Sequence, residues 1–330
     1  MDEAVQRESK NVRENAGVLD GSTLGKIEIK GKDALAFMNL IYTNSFSKMK
    51  PGTSRYALML GEDGMVKDDG IICKISDEHF IATTTTGGAA TVLGCMEEYA
   101  QTEWPNLNVY MNSITEQYAT FNISGPKTRN IIEKVFPEVN FSNEAFPFMT
   151  FQFHEYEDTP IRILRASFTG EMGYEIYVPS NQALKIWEKI ISFGKEFGLM
   201  PYGTETMHLL RAEKGYIIVG QDTDGSITPL DLGLDWMIGK SKKDFLGKRS
   251  LIRSDTVRKD RKQLVGILPT NKNEKLEEGQ HIILDKEIKT PTPMLGHITS
   301  CYQSPTLGHN FALAVIKNGQ SLIGTKAFAS

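Results

Sequence analysis

Apolar and polar positions along the chain fall into two kinds of segment: short alternating runs that read as strands, and runs of helical period that read as amphipathic helices. Residues 26–30 alternate as a strand, and Gly31 and Asp33 lead into a helix with Phe37, Leu40 and Ile41 on one face. The unit recurs. Residues 118–123 precede GPKTRNIIEKVF, where Ile131, Ile132, Val135 and Phe136 form an apolar stripe. GYEIYVP precedes NQALKIWEKIISFG, where Leu184, Trp187, Ile190 and Ile191 keep helical spacing. Strand, turn and helix, with antiparallel hairpins between, predict α+β subdomains whose helices pack on one face of each sheet. The copies are too degenerate to be a solenoid.

Between the first two units lies RYALMLGEDGMVKDDG, residues 55–70, which reads as an antiparallel hairpin: strand at 56–60, turn at 61–64, returning strand at 65–72. Strand neighbours point to opposite faces, so one of Asp68 and Asp69 faces inward and the other outward or along the rim, where Lys67 is available to it. The alternative is a turn with both carboxylates solvated.

Towards the C-terminus the pattern changes. Residues 241–263 hold nine Lys or Arg against three Asp and predict a charged connector with a short helix around 245–251. Five short runs follow, at 264–268, 280–284, 296–302, 310–316 and 322–328, and predict a small closed or partly closed β-barrel. The expected organisation is therefore one domain over 1–240, the connector over 241–263 and a barrel over 264–330.

Composition narrows the functional classes. The 330 residues carry a formal charge of -4, which offers no general field for nucleic acid or an anionic membrane. No apolar run is long enough to span a bilayer, the first residues are too polar for a signal peptide, and a cytoplasmic location is expected. Cys73, Cys95 and Cys301 are few and far apart, which predicts reduced thiols. The six histidines show no metal-binding spacing, so no metal is expected. No nucleophile elbow, Walker loop or dinucleotide fingerprint occurs, so a flavin or nicotinamide held by this chain is disfavoured.

Several residues remain as candidates for chemistry. In FTGEMGYEIYVP, Gly170 and Gly173 bracket a turn that holds Glu171, and Glu175 sits on the following strand. A strand glutamate facing a cavity suits a planar heterocycle with adjacent ring and exocyclic amines, because a carboxylate accepts two parallel hydrogen bonds. Arg211 lies on a helix expected from about Thr204 to Gly215, either in an ion pair, on an exposed face, or at a site. Tyr56 begins the hairpin as an aromatic or hydroxyl wall, or as ordinary core. TTTTGGAA, residues 83–90, ends a strand and opens a helix, so that amides near Gly87 either receive an anionic or carbonyl group or serve as a plain N-cap.

VRENAGVLDGSTLGKIEIKG, FTGEMGYEIYVP, LRAEKGYIIVGQDTDGSITPLDLGLDW and GHITSCYQSPTLGHNFALAVIKNG occur in the order in which they stand in the aminomethyltransferase family. The chain resembles that family over nearly its whole length. The family includes the glycine cleavage T-protein, dimethylglycine and sarcosine dehydrogenases, and the alpha subunit of heterotetrameric sarcosine oxidase. TTTTGGAA, QTEWPNLNVY and the phenylalanine of SFTGE look most like the C-terminal half of that alpha subunit.

The resemblance implies a folate-binding α+β fold of ferredoxin-like subdomains followed by a C-terminal β-barrel, with tetrahydrofolate as cofactor. It implies that Glu175 clamps the pterin, that Arg211 lies beside the folate, and that the first aspartate, Asp68, is catalytic, with Asp69 as second choice. Many relatives have tyrosine where this chain has Phe168, so a phenol there is not available. The connector's cations are either a solvated face or an attractor for the folate's glutamate tail.

The implied reaction is transfer of a one-carbon unit to tetrahydrofolate, giving methylenetetrahydrofolate from an iminium derived from an N-methyl amine such as sarcosine. A flavoprotein partner, a sarcosine oxidase beta-type subunit or domain, would make that iminium. The alternatives are a stand-alone aminomethyltransferase or tetrahydrofolate-dependent demethylase, and a non-catalytic folate-binding or assembly module. T-proteins carry a segment ahead of the position matching Glu8 and a histidine where this chain has Ser9. The expectation is thus either a separately encoded folate module or the C-terminal half of a longer alpha subunit.

Overall fold

Local sequence rules place most elements. The structure is a computed structural model that describes residues 3–286 and 290–330. Its elements begin with α1 (Glu3–Glu14), β1 (Ala16–Asp20), β2 (Gly25–Lys30) and α2 (Ala34–Ile41). The expected hairpin is β3 (Thr53–Leu60) and β4 (Val66–Ser76), followed by β5 (His79–Thr84), α3 (Ala89–Thr102) and β6 (Tyr110–Ser113). Next come β7 (Tyr118–Ser124), α4 (Thr128–Val135), β8 (Phe151–Tyr156), β9 (Thr159–Leu164), β10 (Gly173–Pro179) and α5 (Ala183–Gly194). β11 (Leu199–Pro201) and α6 (Thr204–Ala212) lead to β12 (Lys262–Ile267), β13 (His281–Ile283), β14 (Gly296–Ser304), β15 (His309–Lys317) and β16 (Phe328–Ala329). By contacts the chain forms two units: Met1–Asn39, Phe46–Ala57 and Asp68–Leu210 make the first, and Leu40–Ser45, Leu58–Lys67 and Arg211–Ser330 the second.

In the first unit one sheet runs β11-β1-β7-β10-β9-β8, parallel only at β1–β11. Ile131, Ile132 and Val135 of α4 and Ile186 and Ile190 of α5 bury against Val18, Ile123 and Ile176 on one of its faces. Each such side chain is worth roughly 1.5–3 kcal/mol when fully buried. The expected α5 stripe is corrected at its start: Leu184 is 70% exposed, and Ile186 takes the core position. Ile186 and Ile190 are one i, i+4 pair, and Leu184 lies outside that row.

The other sheet runs β3-β4-β5-β2-β6. Side chains alternate along β4, so Asp69, Ile71 and Cys73 share one face, and Asp68 and Ile72 the other. Cys73 and Ile81 pack with Leu164 and Tyr177 of the first sheet, and Ile71 and Ile75 join them. The face of β4 that carries Asp69 is therefore the one turned to β9 and β10.

In the second unit five strands form an antiparallel sheet in the order β12-β15-β14-β13-β16, over a core of Ile282, Ile298, Ala312, Ala314 and Ile316. Among the described residues β12 and β16 do not pair, so no closed barrel ladder is present. The run expected as a full strand at 322–328 contributes only Phe328–Ala329. Gly319–Leu322 coils into a 3-10 turn, and Gly324 takes a φ of 85°, which a strand cannot accommodate.

Residues 241–263 are less of a free connector than their charge suggests. Phe245, Leu246 and Leu251 are buried, and a 3-10 helix spans Lys248–Ile252. Lys242 donates to the carbonyls of Tyr42 and Asn44, and Lys248 to those of Lys242 and Lys243. Arg261 pairs with Asp231 at 2.9 Å and with Asp255 at 2.6 Å. These cations are held by the unit's own carbonyls and carboxylates.

Candidate functional site

Two polar clusters in the first unit hold Asp68, Asp69, Tyr56 and Glu175. At the hairpin, Asp68 and Asp69 are both drawn out of bulk water and each finds a different neighbour. Asp68, 3% exposed, accepts hydrogen bonds from the Thr85 hydroxyl at 2.7 Å and the Thr85 amide at 3.3 Å. The same Thr85 hydroxyl accepts the Gly88 amide at 3.0 Å, just ahead of α3. A Cβ at Gly88 would lie 2.9 Å from the Asp68 carboxylate, so the close approach needs glycine. Thr85 thus ties Asp68 to the Gly88 amide, no side chain caps the start of α3, and Gly87 is an exposed residue of the connection before it. Burial raises the Asp68 pKa, and the Thr85 hydrogen bonds oppose the rise.

Asp69 faces the other way. Its carboxylate accepts the Tyr56 hydroxyl at 2.6 Å, in place of the ion pair with Lys67 that the sequence offered. Burial lifts its pKa to about 7; the Tyr56 hydrogen bond resists and the charge of Asp68 adds to the rise. Tyr56 in turn is raised well above the usual phenol value, first by burial and then by Asp69. A carboxyl that titrates near neutrality, hydrogen-bonded to a phenol that stays protonated, is able to take up and release a proton at physiological pH.

The second cluster lies on the face of β10 turned towards β4. Glu175 accepts the Tyr177 hydroxyl at 2.5 Å and lines a cavity with Leu19, Asn122, Ser124, Phe168 and Tyr202. Register explains the gathering. Asn122 stands opposite Glu175 and Thr120 opposite Tyr177 on β7, while Arg162 stands opposite Tyr177 on β9. Burial raises the Glu175 pKa, opposed by the Tyr177 hydroxyl and then by the positive charges of Arg162 and Lys26. Lys26 is fully buried, donates to the carbonyls of Ser22 and Leu24, and is lowered to about 8, chiefly by burial. Asn122 Oδ1 and Thr120 Oγ1 are buried and have no hydrogen-bond partner within the protein.

Arg211 is placed elsewhere, in the second unit. It is fully buried and bonds Asp222, the Tyr216 carbonyl at 2.9 Å and Gln221 Oε1 at 3.0 Å. Asp222 also accepts the Thr299 hydroxyl at 2.5 Å and the Ile218 amide at 2.9 Å. Of the sequence alternatives for Arg211, the ion pair is present and the exposed face is not. Glu171, read as a turn residue, is tied to Arg13 at 2.9 Å.

Thr85, Thr120, Asn122, Lys26 and Arg162 were not singled out in the sequence. The available signal was modest: Arg162 interrupts the apolar run PIRIL, and Asn122 sits between Phe121 and Ile123. The cysteines are free, and no group of His, Cys, Asp and Glu fit for a metal occurs among the described residues. No helix among them is long and apolar enough to cross a membrane.

Comparison with known proteins gives a consistent picture. Residues 1–242 match the model of the GCVT N-terminal domain, and residues 262–330 that of the glycine cleavage T-protein C-terminal barrel domain. The chain is 51% identical over 327 residues to the sarcosine oxidase subunit alpha of Corynebacterium sp. (strain P-1), covering 98% of this chain and 34% of that protein. It spans about a third of the length of such relatives. To the aminomethyltransferase of Thermoanaerobacter pseudethanolicus it is 31% identical, covering 98% of this chain and 84% of that one. The fold matches that of glycine cleavage system aminomethyltransferase T from Bartonella henselae with a TM-score of 0.85 at 23% identity, over 99% of this chain and 85% of the other.

Proposed function

The chain belongs to the glycine cleavage T-protein, or aminomethyltransferase, family, and we propose that it is the tetrahydrofolate-binding, one-carbon-transferring part of a sarcosine oxidase-type system. The observation that carries this reading is Glu175: a half-buried carboxylate with a single hydrogen bond, from its own strand, at the wall of a cavity also lined by Asn122 and Tyr174, whose Oδ1 and hydroxyl have no partner. Buried polar atoms without partners are rare in proteins, and unpartnered acceptors next to a carboxylate fit the amine-bearing edge of a pterin. Glu175 would accept from the pterin ring and exocyclic amines, and Asn122 Oδ1 from a further N–H.

When bound, the folate supplies amine nitrogens that accept the one-carbon unit. The chain's own residues do the rest. Asp69 lies on the face of β4 turned to the strands that carry Glu175, and it holds or releases a proton near neutral pH. In its ionised form it also places a negative charge near a cationic iminium in a low-dielectric setting. Asp68, gripped by Thr85, anchors the strand and α3 from the opposite face. This assignment favours Asp69 over Asp68 as the proton acceptor. Tyr56 fixes the Asp69 carboxylate. Gly87 has no assigned contact in this reading, and Arg211 holds the second unit together.

The carbon would come from an N-methyl amine oxidised by a flavoprotein partner, a proposal supported by the 51% identity to a sarcosine oxidase alpha subunit. The test is product analysis. With a sarcosine oxidase beta-type flavoprotein and sarcosine, adding this chain and tetrahydrofolate should divert carbon from formaldehyde to methylenetetrahydrofolate. Full-rate demethylation by the isolated chain with tetrahydrofolate alone would replace the partner reading with that of a direct demethylase. Formaldehyde release unaffected by the chain would leave a non-catalytic module.

A further inference from the structure

We propose that Arg162 is a positioning residue that, through Tyr177, aims the Glu175 carboxylate into the cavity and serves as its counter-charge there; this rests on the reading of Glu175 as a ligand-holding group. Arg162 is 5% exposed, and its guanidinium lies 3.9 Å from the centre of the Tyr177 ring. Tyr177 donates to Glu175 at 2.5 Å. The three residues lie on adjacent strands, with Arg162 directly opposite Tyr177 and Glu175 two residues before it on the same face. A buried guanidinium needs a reason. Arg162 Nε has no hydrogen-bond partner, although each unmet buried donor carries a desolvation penalty. Stacking on a ring that itself holds a carboxylate offers such a reason, because the cation–π contact restrains the ring while the positive charge favours the anionic acid.

The charged and titratable groups that face Glu175 are Tyr177 on its own strand, Arg162 on β9, Lys26 on β2, Cys73 on β4 and Tyr202 after β11. Of the two cations, Lys26 is committed to the Ser22 and Leu24 carbonyls and loses its proton at about 8. Arg162 remains charged throughout the physiological range, so it is the constant counter-charge. Without it, only the Tyr177 hydroxyl and Lys26 oppose burial at Glu175, and the carboxyl takes up a proton at higher pH. A protonated Glu175 accepts fewer hydrogen bonds from a pterin edge.

The test follows the carboxyl itself in the full chain. Glutamate labelled with carbon-13 at the carboxyl carbon is titrated by NMR, and the Glu175 signal is identified by its loss in Glu175→Gln. Arg162→Met should raise the Glu175 midpoint by about one pH unit or more, whereas Arg162→Lys, which keeps the charge, should shift it by less than half of that. Tetrahydrofolate, added in calorimetry at pH 7, should bind at least about tenfold more weakly to Arg162→Met, with partial recovery as pH rises through the new midpoint. An unchanged midpoint in a folded Arg162→Met protein overturns the proposal. Should that variant fail to fold, Tyr177→Phe takes its place: it must raise the midpoint while Arg162→Lys does not, and the reverse order overturns the proposal. If the midpoint moves as expected but Glu175→Gln binds tetrahydrofolate as wild type does, Arg162 still governs Glu175 and it is the folate reading that falls.

Discussion

Glu175 in the first unit is half-buried and Arg211 in the second fully buried, and the two charged groups differ in how completely the protein satisfies them. Arg211 is held by Asp222, a carbonyl and a glutamine, and Asp222 is further held by Thr299 and a backbone amide. Glu175 has one hydroxyl, while its strand neighbours Asn122, Thr120 and Arg162 leave buried polar atoms unmet. A charged group paired and hydrogen-bonded on most of its atoms organises a fold; one left with a single partner is poised to receive a ligand. What separates the two cases is how many partners the charged group has: several for Arg211, whose Nε alone is unmet, against one for Glu175.

The largest effect expected from this contrast is on stability in the Arg211 cluster. Arg211→Met leaves Asp222 buried without its cation and should cost about 3–5 kcal/mol in chemical denaturation. A loss below about 1 kcal/mol would mean that the cluster is not a structural hub, and would return Arg211 to the list of ligand contacts. Next comes the proton acceptor. Asp69→Asn keeps the shape but loses charge and basicity, and should lower one-carbon transfer by a factor on the order of a hundred, with Asp68→Asn affected less. Folate products quantified by mass spectrometry decide it, and the opposite order would exchange the roles of the two aspartates.

A smaller effect separates function from stability at the same residue. Folded Asp69 holds its proton up to about pH 7, whereas the unfolded chain releases it near 3.8, the ordinary aspartate value. Its contribution to stability is therefore complete below about pH 4 and is lost as pH rises through 7. At pH 8 the charged carboxylate opposes folding, and Asp69→Asn should be more stable than wild type by about 1–2 kcal/mol, a difference that fades towards pH 4. Thermal melts across that range that show no pH-dependent gap between the two proteins would contradict the perturbed environment of Asp69.

Much of this was legible in the sequence, for identifiable reasons. The hairpin of β3 and β4, the pairs β7–α4 and β10–α5, and the candidacy of Asp68, Asp69 and Glu175 follow from local periodicity, turn residues and a resemblance carried by ordered motifs. What was not legible depends on which strand lies beside which. Thr120, Asn122 and Arg162 surround Glu175 and Tyr177 only because β7 and β9 flank β10 in a set register, and the chain gives no local sign of that pairing. Thr85 is likewise invisible until β5 and α3 bring it over Asp68. At residues 241–263 net charge did not show which cations are internal: Lys242, Lys248 and Arg261 serve the unit's own carbonyls and carboxylates, while Lys243, Arg249, Arg253, Arg258 and Lys259 are exposed. At the C-terminus five apolar runs suggested a closed or partly closed barrel; residues 262–330 match the C-terminal barrel domain, and among the described residues the short β16 leaves its ladder open.

The central claim is that the cluster around Glu175 is the folate site. Calorimetric titration of tetrahydrofolate into wild type and Glu175→Gln tests it most directly, since the amide preserves size and removes the charge-assisted pair. The account predicts binding to wild type and a loss of about 1–3 kcal/mol in the variant, with folding unchanged. Equal affinity in the two proteins would contradict it.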